Sequence, residues 1–140
     1  VARKNLVDAG PIIALLVPKD EHHRWAGELW AQLQPPFWTC EAVLSEAQLL
    51  VRRWGSDPII ILEMVRAGAI VIDFRMAEEV ERLTALQRSY ADVPMSLADA
   101  CLVRMTELHA DSRVLTADSD FRLYRRNGRQ VIPLLAPEGI

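Results

Sequence analysis

Four carboxylates, Asp8, Glu46, Asp99 and Asp118, fall inside or beside apolar runs of this 140-residue chain, and a fifth, Asp120, follows two residues after the last. Asp8 is bracketed by Leu6-Val7 and Pro11-Ile12-Ile13. A charge at the end of a buried strand costs free energy unless something compensates it. The local compensation would be a cap on a helix beginning at Pro11. Glu46 has Ala42, Val43, Leu49 and Leu50 three and four residues away, so a helix there carries it on an apolar face. A salt bridge to Arg52 or Arg53 is the competing account. Ser96-Leu97-Ala98-Asp99 matches a capping box, yet those two are the only polar residues from Ser96 to Val103. Thr116, Asp118 and Asp120 place three oxygen-bearing side chains after Val114-Leu115; a cap or Asx-turn explains one of them but not the cluster.

Brought together, such carboxylates repel one another, and a hard divalent cation removes the conflict. Mg²⁺ or Mn²⁺ prefers oxygen ligands and keeps several waters. It also lowers the pKa of a bound water, which suits phosphodiester hydrolysis. Asp8, Glu46, Asp99 and Asp118 are therefore the candidate catalytic metal ligands, with Asp120 a fifth candidate ligand and Thr116 the hydroxyl that would orient Asp118. Zinc held by histidine is not supported, because His22, His23 and His109 form no HExxH or Cys/His arrangement, and His22 and His23 read as an exposed helix start. There is no GxxxxGK[ST] loop, no GxGxxG fingerprint and no GxSxG elbow. A receiver-type phosphotransfer domain would want a Lys near its last strand, and the two lysines are Lys4 and Lys19.

The net charge of −3 excludes a polycation, so nucleic-acid binding would need a local basic patch. The run Asp120 to Arg129 offers one, with four Arg and two aromatics that could follow phosphates and stack bases, or form a solvated basic helix. Cys40 and Cys101 form no CxxC pair and sit in apolar runs, as buried free thiols of a cytoplasmic protein do. The longest uninterrupted apolar stretch, Ile12 to Val17, is too short to span a membrane.

The elements that must carry these acids alternate between strand and helix over what reads as one domain, residues 1–140, and predict a mostly parallel sheet. Strands are expected at Asn5–Ala9, Phe37–Thr39, Ala69–Phe74, Arg113–Thr116 and Gln130–Leu134. Helices are expected after Gly10-Pro11 and over Asp20–Leu33, Glu41–Trp54, Asp57–Gly68, Met76–Tyr90, Ser96–His109 and Ser119–Arg126. On the Met76–Tyr90 helix, Met76, Val80, Leu83, Leu86 and Tyr90 form the apolar side. Ligands of such sheets bind beyond the carboxyl ends of the strands, so the loops after Leu6-Val7 and Val114-Leu115 are where a site should lie.

With the elements in place, the motifs resemble a PIN domain, in particular the VapC-type toxin group, over nearly the whole chain. Leu6-Val7-Asp8-Ala9-Gly10 resembles the first acidic motif. Thr39 through Val43-Leu44-Ser45-Glu46 resembles the second and points to Glu46 over Glu41. Ser96-Leu97-Ala98-Asp99-Ala100 resembles the third, and Leu115-Thr116-Ala117-Asp118-Ser119-Asp120-Phe121 the fourth. The resemblance implies a parallel five-stranded sheet in a three-layer α/β/α sandwich. It implies a Mg²⁺- or Mn²⁺-dependent endoribonuclease, with RNA as substrate, a cognate antitoxin as partner and a homodimer as the assembly. The alternative is a non-catalytic RNA- or protein-binding module on the same fold.

Overall fold

Strand β1 (Lys4–Val7) forms because Leu6 and Val7 are entirely buried, and it lies at the centre of the sheet. The computed structural model describes residues 3–140. The chain continues through α1 (Ala9–Leu16), α2 (His23–Gln32), β2 (Phe37–Thr39), α3 (Glu41–Arg53), α4 (Ile59–Arg66), β3 (Ile70–Ile72), α5 (Val80–Ser89), α6 (Leu97–Leu108) and β4 (Ser112–Leu115). Three two-residue strands end it: β5 (Arg125–Arg126), β6 (Gln130–Val131) and β7 (Leu134–Leu135).

Five strands make one all-parallel sheet in the order β3-β2-β1-β4-β7. The chain moves from β1 to β2 to β3 in one direction, then crosses back to β4 and β7 on the other side of β1. Right-handed crossovers put the helices between β1 and β3 on one face and those between β3 and β4 on the other, which gives the three-layer α/β/α sandwich. Helix α6 lies against β1 and β4, and α1 packs on both α2 and α3. The direction of winding reverses between β1 and β4. The crevice beyond their carboxyl ends is thus a topological switch point.

Four expectations change. The Met76–Tyr90 helix is interrupted: Met76–Glu78 is a 3₁₀ turn, and α5 starts at Val80. Leu83 and Leu86 are buried as expected, but Met76 and Val80 are exposed, so the apolar stripe covers only the later turns. The Ser119–Arg126 helix is a single 3₁₀ turn, Ser119–Arg122, followed by β5. The single last strand is two pieces, because Gln130–Val131 pairs antiparallel with β5 whereas Leu134–Leu135 joins the main sheet beside β4. Asn127 and Gly128, both at positive φ (52° and 81°), make the tight turn of that hairpin. Strand β1 also ends earlier than expected, at Val7, because Asp8 already caps α1. Among the described residues no helix is long and apolar enough to cross a membrane.

Candidate active site

Asp8 is both the cap and the base of a cleft. Its Oδ1 accepts the Ala9 N–H at 2.8 Å, so the capping reading of the sequence holds, with the helix opening at Ala9, not Pro11. Its Oδ2 accepts the Thr116 hydroxyl at 2.7 Å. That hydroxyl was expected to orient Asp118. Instead it donates to Asp8 across the β1–β4 pair and accepts the main-chain N–H of Asp118 at 3.0 Å. Thr116 is completely buried and ties the two switch-point loops together. The first turn of α1 comes close to the same loop, since a Cβ on Gly10 would stand 3.4 Å from the Ala117 Cβ.

Asp8, Glu46, Asp99 and Asp118 line one cleft of about 390 Å³ beyond β1 and β4, together with Gly10, Leu50 and Ser119. Helix α6 brings Asp99, with Ser96 as its cap: the Ser96 hydroxyl oxygen accepts the Asp99 N–H at 3.0 Å. The capping box and the cleft position coexist. Asp118 caps the 3₁₀ turn, its Oδ1 accepting the Asp120 N–H at 2.9 Å. Helix α3 brings Glu46, with Glu41 in its first turn and Arg52 and Arg53 in its last, each suiting the helix dipole. Glu46 is not on a buried face as its neighbours suggested. It is exposed at the rim, Leu49 beside it is 57% exposed, and only Val43 of its four spaced neighbours is fully buried. Asp120 is not among the residues lining the cleft; its charge bears on the Tyr124 hydroxyl instead.

The electrostatics follow from this geometry. Burial, the larger cause, and repulsion from Asp99 and Glu46 push Asp8 up to about 7, against the lowering effect of its two hydrogen bonds. Burial also raises Asp99, aided by Asp118 and opposed by the hydroxyl of Tyr124. Glu46, exposed overall at the rim, is raised by partial desolvation where it faces the cleft, then by Asp99 and Asp118. Among the described residues none of the four forms an ion pair. Among the described residues no cation pairs with this negative charge.

The run from Asp120 to Arg129 does not form the expected basic helix or stacking platform. Phe121 and Tyr124 are buried, so neither ring is free to stack on a base. Arg125 Nη1 donates to the carbonyls of Arg122, Leu123 and Tyr124, and Arg126 Nη1 to those of Thr106 and Ala110. Arg122 is different: its Nε donates at 2.6 Å to the carbonyl of Ile140, which itself lines the cleft. His22 and His23 are half-buried, not exposed, and His23 Nδ1 lies 2.7 Å from the Ala14 carbonyl oxygen. Cys40 and Cys101 are buried and free as expected, and they are neighbours, both lining a second cavity away from the acids.

A parallel sheet wound 3-2-1-4-7 with an acidic cleft at its switch point defines a class of α/β domain. The chain belongs to the PIN domain family, whose model matches residues 6–127. Among solved structures, VapC20 of Mycobacterium tuberculosis, described as a sarcin–ricin loop cleaving toxin, superposes with a TM-score of 0.72. It is 24% identical, over 84% of this chain and 92% of that one, a likeness that establishes the shared fold. No curated protein matches the sequence.

Proposed function

We propose that this protein is a metal-dependent endoribonuclease, a single domain over residues 1–140 that acts as the toxin of a toxin–antitoxin pair. The observation that carries the chemistry is a cleft at the switch point lined by four carboxylates, none of which forms an ion pair among the described residues. The donor set fits a hard divalent ion, Mg²⁺ or Mn²⁺: every candidate ligand is a carboxylate, and their mutual repulsion is the cost such an ion relieves. RNA as substrate draws on the likeness to VapC20, whose description names the sarcin–ricin loop as its target.

Asp8, Glu46, Asp99 and Asp118 would hold the ion, with Asp120 an outer acid. When bound, the ion supplies an acidified water and stabilises charge on the phosphate and the leaving oxygen. The chain's own residues prepare this. Thr116 and the Ala9 N–H fix both oxygens of Asp8, and the Asp120 N–H holds one oxygen of Asp118. Arg122 at the cleft rim is the cation placed to meet a substrate phosphate.

Leu49, Trp54, Ile59, Ile60 and Leu62 are all exposed on or between α3 and α4. This apolar surface is what supports a protein partner, either the antitoxin or a second copy in a homodimer. The proposed RNA substrate would place the protein in the cytoplasm.

One observation favours the alternative, a non-catalytic RNA- or protein-binding module. Among the described residues no three His, Cys, Asp or Glu side chains already converge as a ligand set. Cleavage of an RNA panel with Mn²⁺, with EDTA, and by Asp8→Asn and Asp99→Asn separates the two. The nuclease reading requires cleavage that EDTA abolishes and that each variant lowers more than about 100-fold, beyond what loss of a supporting residue outside the ligand set costs. RNA binding without metal-dependent cleavage establishes the alternative.

A further inference from the structure

Tyr124 carries no chemistry in the scheme above, yet it is the most firmly anchored aromatic beside the cleft. Its side chain is fully buried and its hydroxyl donates to Asp99 Oδ2 at 2.8 Å. The ring meets Phe121 and Tyr90 edge to face, with centroids 5.2 and 5.1 Å apart. The Tyr90 hydroxyl in turn accepts the Arg125 N–H at 2.9 Å, which holds the chain at the residue after Tyr124. The sequence offered Phe121 and Tyr124 as rings that could stack bases; the fold turns both inward, with Tyr90 against Tyr124, as a bracket.

A buried tyrosine hydroxyl needs a partner, and main-chain carbonyls are the common choice. Here the partner is a cleft carboxylate. A donor on one oxygen favours the ionised acid and restricts rotation of the carboxyl group. Asp99 also sits at the start of α6, where Ser96 already fixes its main chain through the cap. Backbone and side chain are thus held from two sides, by α6's own first turn and by the segment that follows β4. The bracket links Asp99 to the segment that begins with Asp118, so it sets the placement of one acid relative to the other.

We propose that Tyr124 is a positioning residue for Asp99 that pre-organises the cleft for a divalent cation; this rests on the reading of the cleft as a metal site. Groups that orient metal ligands typically change affinity by about 10–100-fold when lost. The variant is Tyr124→Phe, which keeps the ring packing and removes only the donor. The measurement is Mn²⁺ affinity of the full chain without RNA, by calorimetry or by the signal of unbound Mn²⁺ in electron paramagnetic resonance. Urea denaturation and RNA cleavage are followed alongside.

Mn²⁺ affinity is expected to fall about 10-fold or more, with RNA KM unchanged once Mn²⁺ is saturating. Tyr90→Phe removes a hydroxyl from the same aromatic cluster without touching a cleft acid, so it should lose stability and keep wild-type Mn²⁺ affinity. Wild-type affinity in Tyr124→Phe overturns the inference. An equal loss in Tyr90→Phe also overturns it, because the effect would then come from loosening the cluster. Wild-type protein that takes up no Mn²⁺ overturns the metal reading of the cleft, and this inference with it. Mn²⁺ uptake by the wild type with no response to Tyr124→Phe overturns the inference alone.

Discussion

Asp99 and Glu107 sit eight residues apart on the same helix, α6, and the fold gives them opposite company. The Glu107 side chain is 2% exposed. It accepts two bonds from Arg82, at 2.8 and 2.7 Å, one from Arg104 at 3.2 Å, and the Asn127 N–H at 2.7 Å. Burial alone would raise its pKa, but these donors, Arg82 foremost, more than offset it and hold it below the usual carboxylate range. Asp99 receives the Tyr124 hydroxyl but no cation, and burial with repulsion from Asp118 raises it. Where a buried acid serves the fold, arginines come with it. Where an acid is left without them, as at Asp99 and Asp8, the fold carries a cost that its own interactions do not remove. Such a cost is what the proposed divalent cation would relieve.

The sharpest way to break this contrast is to neutralise each acid in turn. Asp99→Asn should lower RNA cleavage more than about 100-fold while leaving stability unchanged or raised, since it removes repulsion. Glu107→Gln should leave cleavage unchanged and destabilise the chain by about 2–3 kcal/mol, because it strips charged partners from bonds at a buried position. Urea denaturation and a cleavage assay on both variants read this out. Equal destabilisation by the two would mean that Asp99, too, is a structural acid.

The next effect appears in the dependence of stability on pH. Asp8 is raised from the ordinary 3.8 to about 7 in the folded chain. Between those values the folded state holds a proton that the unfolded state releases, so stability from this group is complete below about pH 4 and is lost as pH rises through 7. Glu107 runs the other way: lowered in the folded state, it contributes stability above the usual Glu value that is lost as pH falls through its folded value. Without metal, the melting temperature of the wild type should drop relative to Asp8→Asn by a few degrees between pH 5 and pH 8. Saturating Mn²⁺ should erase that difference in slope, because a bound cation keeps Asp8 ionised throughout. A wild type and Asp8→Asn with parallel pH profiles would show that Asp8 ionises normally.

What the sequence could reveal divides along the same line. Asp8 and Asp99 were legible because an acid flanked by Leu, Val, Ile and Ala stands out in one dimension, and the alternation of elements foretold the parallel sheet and its switch point. Glu46 was legible as a residue but not in its setting: spacing names a helix face without saying how far the neighbouring elements cover it, and α3 leaves Leu49 and Glu46 at the rim. Thr116 was matched to Asp118 because they are two residues apart, whereas its hydroxyl bonds Asp8 through the pairing of β1 with β4, a contact 108 residues long in sequence. The terminal hairpin did leave a signal. Asn127-Gly128 is a pair that readily adopts the positive φ hairpin turns need, here within a three-residue loop before Gln130, and Pro133 separates β6 from β7.

Arg122 and Arg126 supply the last and smallest test, because they repeat the Asp99–Glu107 contrast with the opposite charge. Arg126 donates to the Thr106 and Ala110 carbonyls, at 3.4 and 3.1 Å, where α6 ends, and its Nε is buried with no partner among the described residues. A cation at a helix carboxyl end stabilises by about 0.3–1 kcal/mol, and the unpartnered Nε subtracts from that. Arg126→Ala should therefore lower stability slightly and leave RNA affinity unchanged. Arg122 is exposed, and among the described residues its guanidinium bonds the main-chain oxygen of Ile140 at the cleft rim alone, so Arg122→Ala should leave stability unchanged and weaken RNA binding. Affinity is read in EDTA, which removes cleavage, and at two salt concentrations. Loss of one phosphate contact should flatten the salt dependence by close to one unit of slope. If Arg126→Ala weakens binding more than Arg122→Ala does, the RNA path runs over the end of α6, and the arginines there serve the substrate as well as the helix.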